Sequence, residues 1–127
     1  MPTRSQEGEL FEGVLARVSG WGRVSDSNPD LSPELKFVDL TVVPNLDCEN
    51  TYGNIIVNSM ICLSTAGGTA GSCNGDSGGP LTYQGVQIGI VSFGAAAGCE
   101  AGYPLGYTRV TSFLDWLESE GGITIQP

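Results

Sequence analysis

The sequence contains no histidine and few basic residues. Its 127 residues include 5 lysines and arginines against 14 aspartates and glutamates, which gives a formal net charge of -9. Nucleic acids and anionic membrane surfaces attract basic protein faces, so this charge argues against both as partners. No apolar run approaches the roughly 18 residues of a membrane span. The first ten residues also lack the apolar stretch of a signal peptide, so we do not expect one there.

The 4 cysteines include no C-x-x-C pair; they are Cys48, Cys62, Cys73 and Cys99. Without such a pair or a histidine, a structural zinc site is not expected. The even number favours two disulfides over free thiols, and it leaves about three possible connectivities. Because disulfides form in oxidising compartments, this interpretation indicates a secreted protein.

Short apolar segments separated by glycine-rich turns predict an all-β domain. The strand candidates are residues 14–22, 35–43, 59–63, 80–83, 86–93 and 105–110. The residues expected to share an inward face are Val38, Leu40 and Val42 in the second strand and Val86, Ile88 and Ile90 in the fifth. About six such strands in a chain of one domain's length predict a barrel or a sandwich.

The segments outside the strands are predicted as an arm, a loop and a short helical turn. The residues up to about Gly8 are polar and indicate a loose arm. Residues 25–34 are dense in serine, aspartate, asparagine and proline, which is typical of a surface loop. Residues 45–52 allow one helical turn, with Asn45 or Asp47 as its cap.

The end of the chain predicts one longer helix. An apolar stripe at i, i+3, i+4 and i+7 is formed by Val110, Phe113, Leu114 and Leu117. Thr111 or Ser112 could cap its start, and Gly121 with Gly122 could end it. We expect this helix to pack across one end of the β-domain.

Residues 71–80, with the sequence GSCNGDSGGP, carry the pattern with the clearest chemical meaning. Glycine permits positive φ, so a tight turn around Ser77 could project the serine and bring backbone N–H groups together. Two convergent N–H groups make an oxyanion hole, and the serine oxygen could act as a nucleophile. The alternative is an ordinary glycine turn between strands. A phosphate loop is disfavoured, because the Gly-Lys-Ser/Thr ending and a following helix are both missing.

The run GDSGGP at residues 75–80 resembles the nucleophile motif of the chymotrypsin/trypsin family of serine endopeptidases. Within that family, the sequence resembles arthropod chymotrypsins and brachyurin-type collagenases. The resemblance extends over residues 13–123 through further segments in register: SGWG at 19–22, SFG at 92–94, YP at 103–104, YTRV at 107–110 and FLDWL at 113–117.

The resemblance implies the second barrel of that fold. We therefore expect a six-stranded antiparallel Greek-key β-barrel over residues 13–109, a C-terminal α-helix over 110–122, and an interdomain arm over 1–12. The N-terminal barrel of the family has no counterpart in this sequence. The implied disulfides join Cys48 to Cys62 and Cys73 to Cys99.

The resemblance also implies roles for residues around the motif. Ser77 would be the acyl-forming nucleophile, and the backbone N–H groups of Gly75 and Ser77 would form the oxyanion hole. The Asp76 carboxylate would pair with the amine that zymogen cleavage frees. We expect no cleaved apolar N-terminus to be available in the chain taken alone, and we therefore expect its site to be partly collapsed.

A substrate pocket is implied beside the nucleophile. Its expected lining is Gly71 at the floor, with Ser72, Ser92, Phe93, Gly94 and Leu105 around it. Residues 92–94 would pair with the substrate backbone as an added strand. The pocket lacks a carboxylate for a buried cation, so large apolar or aromatic residues are expected before the scissile bond. Leu105 would shorten this pocket, or it would simply be a core leucine of the barrel.

The histidine and aspartate of the family's catalytic triad lie in the barrel that this sequence lacks. We therefore expect the chain alone to be inactive, and to act on polypeptides with a matching N-terminal barrel. Its exposed barrel face could instead drive self-association. The alternative function is a non-catalytic barrel that binds peptides or proteins. No metal or organic cofactor is indicated.

Overall fold

The structure, a computed structural model, describes residues 1–65, 71–95 and 98–127. These residues form β1 (Leu15–Gly20), β2 (Lys36–Val43), β3 (Met60–Leu63), β4 (Pro80–Tyr83), β5 (Val86–Phe93) and β6 (Leu105–Arg109). All neighbouring strands are antiparallel, and they close into a barrel in the order β1-β2-β3-β6-β5-β4. The expected six-stranded antiparallel barrel is confirmed, and the sandwich is excluded.

The inward face of β2 follows the sequence pattern. Leu40 and Val42 are 2% and 1% exposed, whereas Asp39 and Thr41 point to solvent. The barrel core is completed by side chains from the other strands, among them Ala16, Val18, Ile61, Leu63, Leu81, Ile88, Val91, Leu105 and Tyr107. Burying this apolar surface is the main favourable contribution to folding.

The inward face of β5 differs from the expected one. Leu81 pairs with Gly89 but its neighbour Thr82 pairs with Gln87, so β5 has one extra residue at this point. Such a bulge reverses the alternation of side chains beyond it. Ile88 and Val91 are therefore in the core, while Ile90 is only half-buried.

The two α-helices lie where the sequence predicts them, but their caps are different. α1 (Asn45–Tyr52) begins after Pro44 and has no side-chain cap. The Asn45 amide instead donates to the carbonyl oxygen of Met60 at 2.9 Å, which ties α1 to β3. The cap prediction was wrong because this acceptor comes from a strand that is distant in sequence.

The C-terminal helix begins later than the apolar stripe suggests. Residues Val110–Phe113 form a 3-10 turn, and α2 (Leu114–Gly121) follows it without a side-chain cap. Thr111 is buried at 2% exposure and caps nothing, and Phe113 is 39% exposed, so the expected apolar stripe is not buried over its whole length. Gly122 ends the helix at φ 67°, as predicted. Among the described helices, none is long and apolar enough for a membrane span.

The N-terminal arm is packed against the end of the chain and is not loose. Pro2 is buried, and the Arg4 N–H donates to the carbonyl oxygen of Gln126 at 2.7 Å. The Arg4 guanidinium also pairs with Asp115 at 2.6 Å and Glu118 at 3.2 Å. The prediction failed because the partners of these polar residues lie at the opposite end of the sequence.

Candidate active site

A cavity of about 420 Å³ lies between the segment around Ser77, the end of β5 and the start of β6. Its lining includes six of the residues that the resemblance and motif singled out, namely Ser72, Ser77, Ser92, Phe93, Gly94 and Leu105. Also present are Cys73 and Cys99, which the resemblance pairs in a disulfide. Arg23, Asp26 and Asn74 line the cavity too, although the sequence had not marked them as site residues. Distant segments thus meet at one surface depression.

Two consecutive turns present Ser77 at this cavity. The first is closed by the Asp76 N–H, which donates to the Cys73 carbonyl at 3.0 Å, and the second begins at Asp76. Each turn has a glycine with positive φ, Gly75 at 98° and Gly78 at 82°. Side chains at these positions would be strained, so the glycines of the motif are explained by the backbone itself.

The backbone N–H groups of Gly75 and Ser77 have no acceptor among the described residues, whereas those of Asp76 and Gly78 do. The Gly78 N–H, for example, donates to the Val91 carbonyl at 2.9 Å and fixes the turn to β5. Unpaired backbone N–H groups next to a serine are the kind of donor that an oxyanion hole requires.

The Asp76 carboxylate anchors this segment to the end of β1. One oxygen accepts the Gly22 N–H and the other accepts the Cys73 N–H, both at 2.8 Å. A Cβ on Gly20 or Gly22 would collide with this carboxylate, which explains the glycines of the SGWG segment. Asp76 thus finds two backbone donors within the chain, and the expected partial collapse stays a prediction.

Leu105 fills the space where the pocket floor was expected. A Cβ added to Gly71 would lie 3.0 Å from the Leu105 Cδ1. A Cβ added to Gly94 would lie 2.8 Å from the Leu105 Cδ2. Gly71 is not among the residues that line the cavity. The leucine is 4% exposed and belongs to the barrel core as well. Being a core leucine of the barrel and lying beside the expected pocket floor are therefore compatible for Leu105.

Comparison with known proteins decides the family. The sequence model of the family described as Trypsin matches residues 2–117. The chain belongs to the trypsin family. It is 53% identical over 112 residues to brachyurin of Leptuca pugilator, which covers 88% of this chain and 49% of that protein. It is 42% identical over 126 residues to a collagenase of Hypoderma lineatum, covering 97% and 46%.

The solved structures agree with this assignment. The structure of HL collagenase has a TM-score of 0.87 and 41% identity, covering 98% of this chain and 53% of that one. Neuropsin of mouse brain has a TM-score of 0.78 and 30% identity, covering 85% and 48%. This trypsin-family chain thus spans about half the length of the relatives it matches.

Two disulfides hold the trypsin-family barrel around the site, and they join Cys48 to Cys62 and Cys73 to Cys99. This is the pairing that the resemblance implied. The Asp26 carboxylate lies within 4.8 Å of the sulfurs of Cys73 and Cys99. Disulfide sulfurs are not thiolates, so this group does not make a metal site.

Two of the residues that line the cavity, Ser72 and Phe93, are in contact with tyrosines. The hydroxyls of Tyr107 and Ser72 are 2.8 Å apart in a buried contact, and burial raises the pKa of Tyr107 to about 12. The Phe93 ring lies against Gly106 and makes an edge contact with Tyr52, with ring centroids 5.0 Å apart. Sequence reasoning missed these supports, because an inward aromatic residue on a strand gives only a core signal.

Asp26 connects the predicted surface loop to the cavity rim. Its carboxylate accepts the N–H groups of Cys99 at 2.8 Å and Glu100 at 2.9 Å. The Asp26 N–H donates in return to the Glu100 carboxylate at 2.5 Å. A Cβ on Gly98 would lie 2.7 Å from the Asp26 carboxylate. The Glu100 and Cys99 N–H bonds lower the pKa of Asp26. No local pattern distinguishes this aspartate from others in a polar loop.

We expect acid to release this connection. The folded pKa of Asp26 lies below its ordinary value of 3.8, so the bonds persist above that pH and are lost only as the pH falls through the lowered pKa. The measurement is an NMR titration of the Cys99 and Glu100 amides. In Asp26→Asn, both amides should already be displaced at neutral pH.

Asp30→Asn is the matched control, because its side chain lies in the same exposed loop and is not a partner in any described hydrogen bond. The control should titrate like the unaltered chain. Identical Cys99 and Glu100 shifts in Asp26→Asn and the unaltered chain would contradict the predicted role of Asp26.

Proposed function

We propose that this chain supplies the nucleophile and substrate pocket of a secreted serine endopeptidase. The observation that carries the proposal is the cavity in which Ser77, beside two unpaired N–H donors, meets the side chains of β5 and β6. Polypeptides are the substrates on which this family acts. The two disulfides support an extracellular location, because such bonds persist in oxidising compartments.

In the proposed reaction, the Ser77 Oγ attacks the carbonyl carbon of a peptide bond. A carbon–oxygen bond forms, and the carbonyl oxygen becomes an oxyanion that accepts the N–H groups of Gly75 and Ser77. The C–N bond then breaks as the leaving amine takes a proton. In the family's chemistry a histidine carries that proton away from the serine, and this sequence has none.

The general base must therefore come from another polypeptide segment. Large apolar side chains are exposed between residues 21 and 37, including Trp21 at 55%, Leu31 at 60% and Phe37 at 62%. Leu31 lies directly against Gly75, which places apolar surface beside the proposed oxyanion donors. We infer that a matching N-terminal barrel covers this surface and brings the histidine. Self-association through the same face is the competing outcome.

Fluorophosphonate labelling read by intact mass tests this proposal. The chain alone should gain no mass, whereas the chain mixed with a matching N-terminal barrel should be labelled at Ser77. Labelling of the chain alone would show that the serine needs no histidine. No labelling in either sample, with the two barrels bound to each other, would favour the peptide-binding alternative. Light scattering separates barrel pairing from self-association.

We also propose that Leu105 limits the depth of an apolar substrate pocket. Of the cavity-lining residues that the structure describes, Asp26 is the only acidic one, and it is exposed. Burying a lysine or arginine side chain there without a partner is unfavourable. Apolar residues before the scissile bond therefore fit best, and the leucine favours those that do not reach past it.

Leu105→Gly in the assembled enzyme should raise the preference for phenylalanine over alanine before the scissile bond by about 10- to 100-fold. The reason is the space that opens between Gly71 and Gly94. The measurement is the ratio of kcat/KM for matched peptides. Leu105→Ala should give a smaller shift with a smaller loss of packing, and thermal unfolding monitors that loss. Leu46→Ala, an exposed leucine on α1, is the control. An unchanged ratio in both Leu105 variants would contradict the proposal.

A further inference from the structure

The turn before Ser77 contains an asparagine followed by glycine, Asn74 and Gly75. Elsewhere in the sequence, asparagine is followed by proline, leucine, threonine, isoleucine or serine. Asparagine is a thermolabile residue, because its side-chain carbon can be attacked by the backbone nitrogen of the next residue. Glycine has no side chain to obstruct that approach. Among the asparagines of the sequence, Asn74 is therefore the one whose following residue hinders this attack least.

Both reacting nitrogens of this pair are without a hydrogen bond among the described residues. Asn74 is exposed, and its side-chain amide makes no hydrogen bond with the described residues. The Gly75 N–H has no acceptor among them either. The peptide group that joins the two residues is held on its carbonyl side, because the Asn74 carbonyl oxygen accepts the Arg23 N–H at 2.9 Å. Neither the nucleophile nor the leaving group must break an internal hydrogen bond to react.

We propose that Asn74 is a deamidation site whose reaction disturbs one of the two oxyanion donors, the Gly75 N–H. The Gly75 nitrogen attacks Cγ of Asn74, a new N–Cγ bond forms, and the Cγ–Nδ2 bond breaks. The Gly75 amide hydrogen leaves with Nδ2 as ammonia, and a five-membered imide remains. Water then adds to either imide carbonyl and opens one C–N bond, which gives aspartate or isoaspartate at position 74.

Each product alters the proposed catalytic turn, and this consequence rests on the proposed function. In the imide, the Gly75 nitrogen carries no hydrogen and cannot donate to an oxyanion. Isoaspartate restores the N–H but adds a backbone carbon to the turn that the 3.0 Å bond between Cys73 and Asp76 closes. Aspartate restores the backbone but places a carboxylate beside the position where negative charge develops. All three should weaken stabilisation of the oxyanion.

Timed incubation of the purified chain at mildly alkaline pH tests the modification itself. Peptide mass spectrometry should show loss of ammonia, then replacement of amide by acid, at Asn74 before any other asparagine. Asn58, followed by Ser59, is the internal comparison, and Asn74→Gln should abolish the early product. Modification of Asn74 no faster than that of Asn58 would overturn the proposal.

Labelling of the assembled two-barrel enzyme tests the consequence. The modified fraction should react with fluorophosphonate more slowly, by up to about 10²- to 10³-fold, which is the effect of losing one oxyanion donor completely. Asn74→Gln enzyme, incubated in the same way, should keep its starting rate. Equal rates for modified and unmodified fractions would overturn the effect on the site. If unmodified enzyme also fails to label, the proposed function fails, while the mass result on Asn74 stands separately.

Discussion

Replacing Ser77 with alanine is expected to lower the turnover of the assembled enzyme by about 10⁶-fold. The substitution removes the oxygen that forms the acyl bond, while the two turns of the segment and the N–H groups of Gly75 and residue 77 are retained. Activity that persists should come from oxyanion stabilisation and substrate binding alone. The measurement is kcat on a peptide substrate, with fluorophosphonate labelling of the same samples.

Ser119→Ala is the matched control for Ser77→Ala. Ser119 is exposed on α2, and its hydroxyl makes only a local contact with the Trp116 carbonyl at 3.4 Å. This variant should retain full turnover and full labelling. A Ser77→Ala enzyme that keeps more than a small fraction of its turnover would contradict the assignment of Ser77 as nucleophile.

Removing either disulfide is expected to destabilise the barrel by about 2–5 kcal/mol. The Cys48–Cys62 bond spans a sequence separation of 14 and the Cys73–Cys99 bond one of 26. Each bond restricts the unfolded chain, and a loop of about 15 residues corresponds to about 3 kcal/mol. Urea unfolding of the two paired cysteine-to-alanine variants measures both free energies.

The two variants should differ in their effect on the site. Cys73 and Cys99 both line the cavity, so losing their bond should also loosen the rim that Asp26 holds. Cys48 and Cys62 pack in a cluster with Phe93, and neither lines the cavity. We therefore expect hydrogen exchange near Glu100 to increase only in the Cys73/Cys99 variant. Equal exchange in both variants, or no loss of stability in either, would contradict these expectations.

The strands could be predicted because their signal is local. Alternation of apolar and polar residues along β2 requires no knowledge of its neighbours, and Leu40 and Val42 are buried as expected. The inner face of β5 was missed beyond Ile88, because the bulge depends on how β4 pairs with it. The predictions of the helix caps and of a loose arm were wrong for the same physical reason, because distant segments supply the partners.

The segment proposed to carry the nucleophile was identified through its resemblance to the family motif, and the backbone geometry explains its glycines. Gly75 and Gly78 adopt positive φ, so the chain has little freedom to use other residues there. Asp26 was not visible, since its role exists only when residues 99 and 100 come within hydrogen-bonding distance. Leu105 was visible as a pocket residue, but how far it fills the space between Gly71 and Gly94 required coordinates.

The contact between Arg4 and Gln126 brings the two ends of the chain side by side. Ends that lie together at a surface allow a domain to be circularly permuted or inserted into a host protein. A short glycine–serine linker could therefore join the ends, with new termini opened in the exposed hairpin turn at Gln84 and Gly85. The barrel could also be carried within a loop of a larger scaffold, presenting its cavity without a free end nearby.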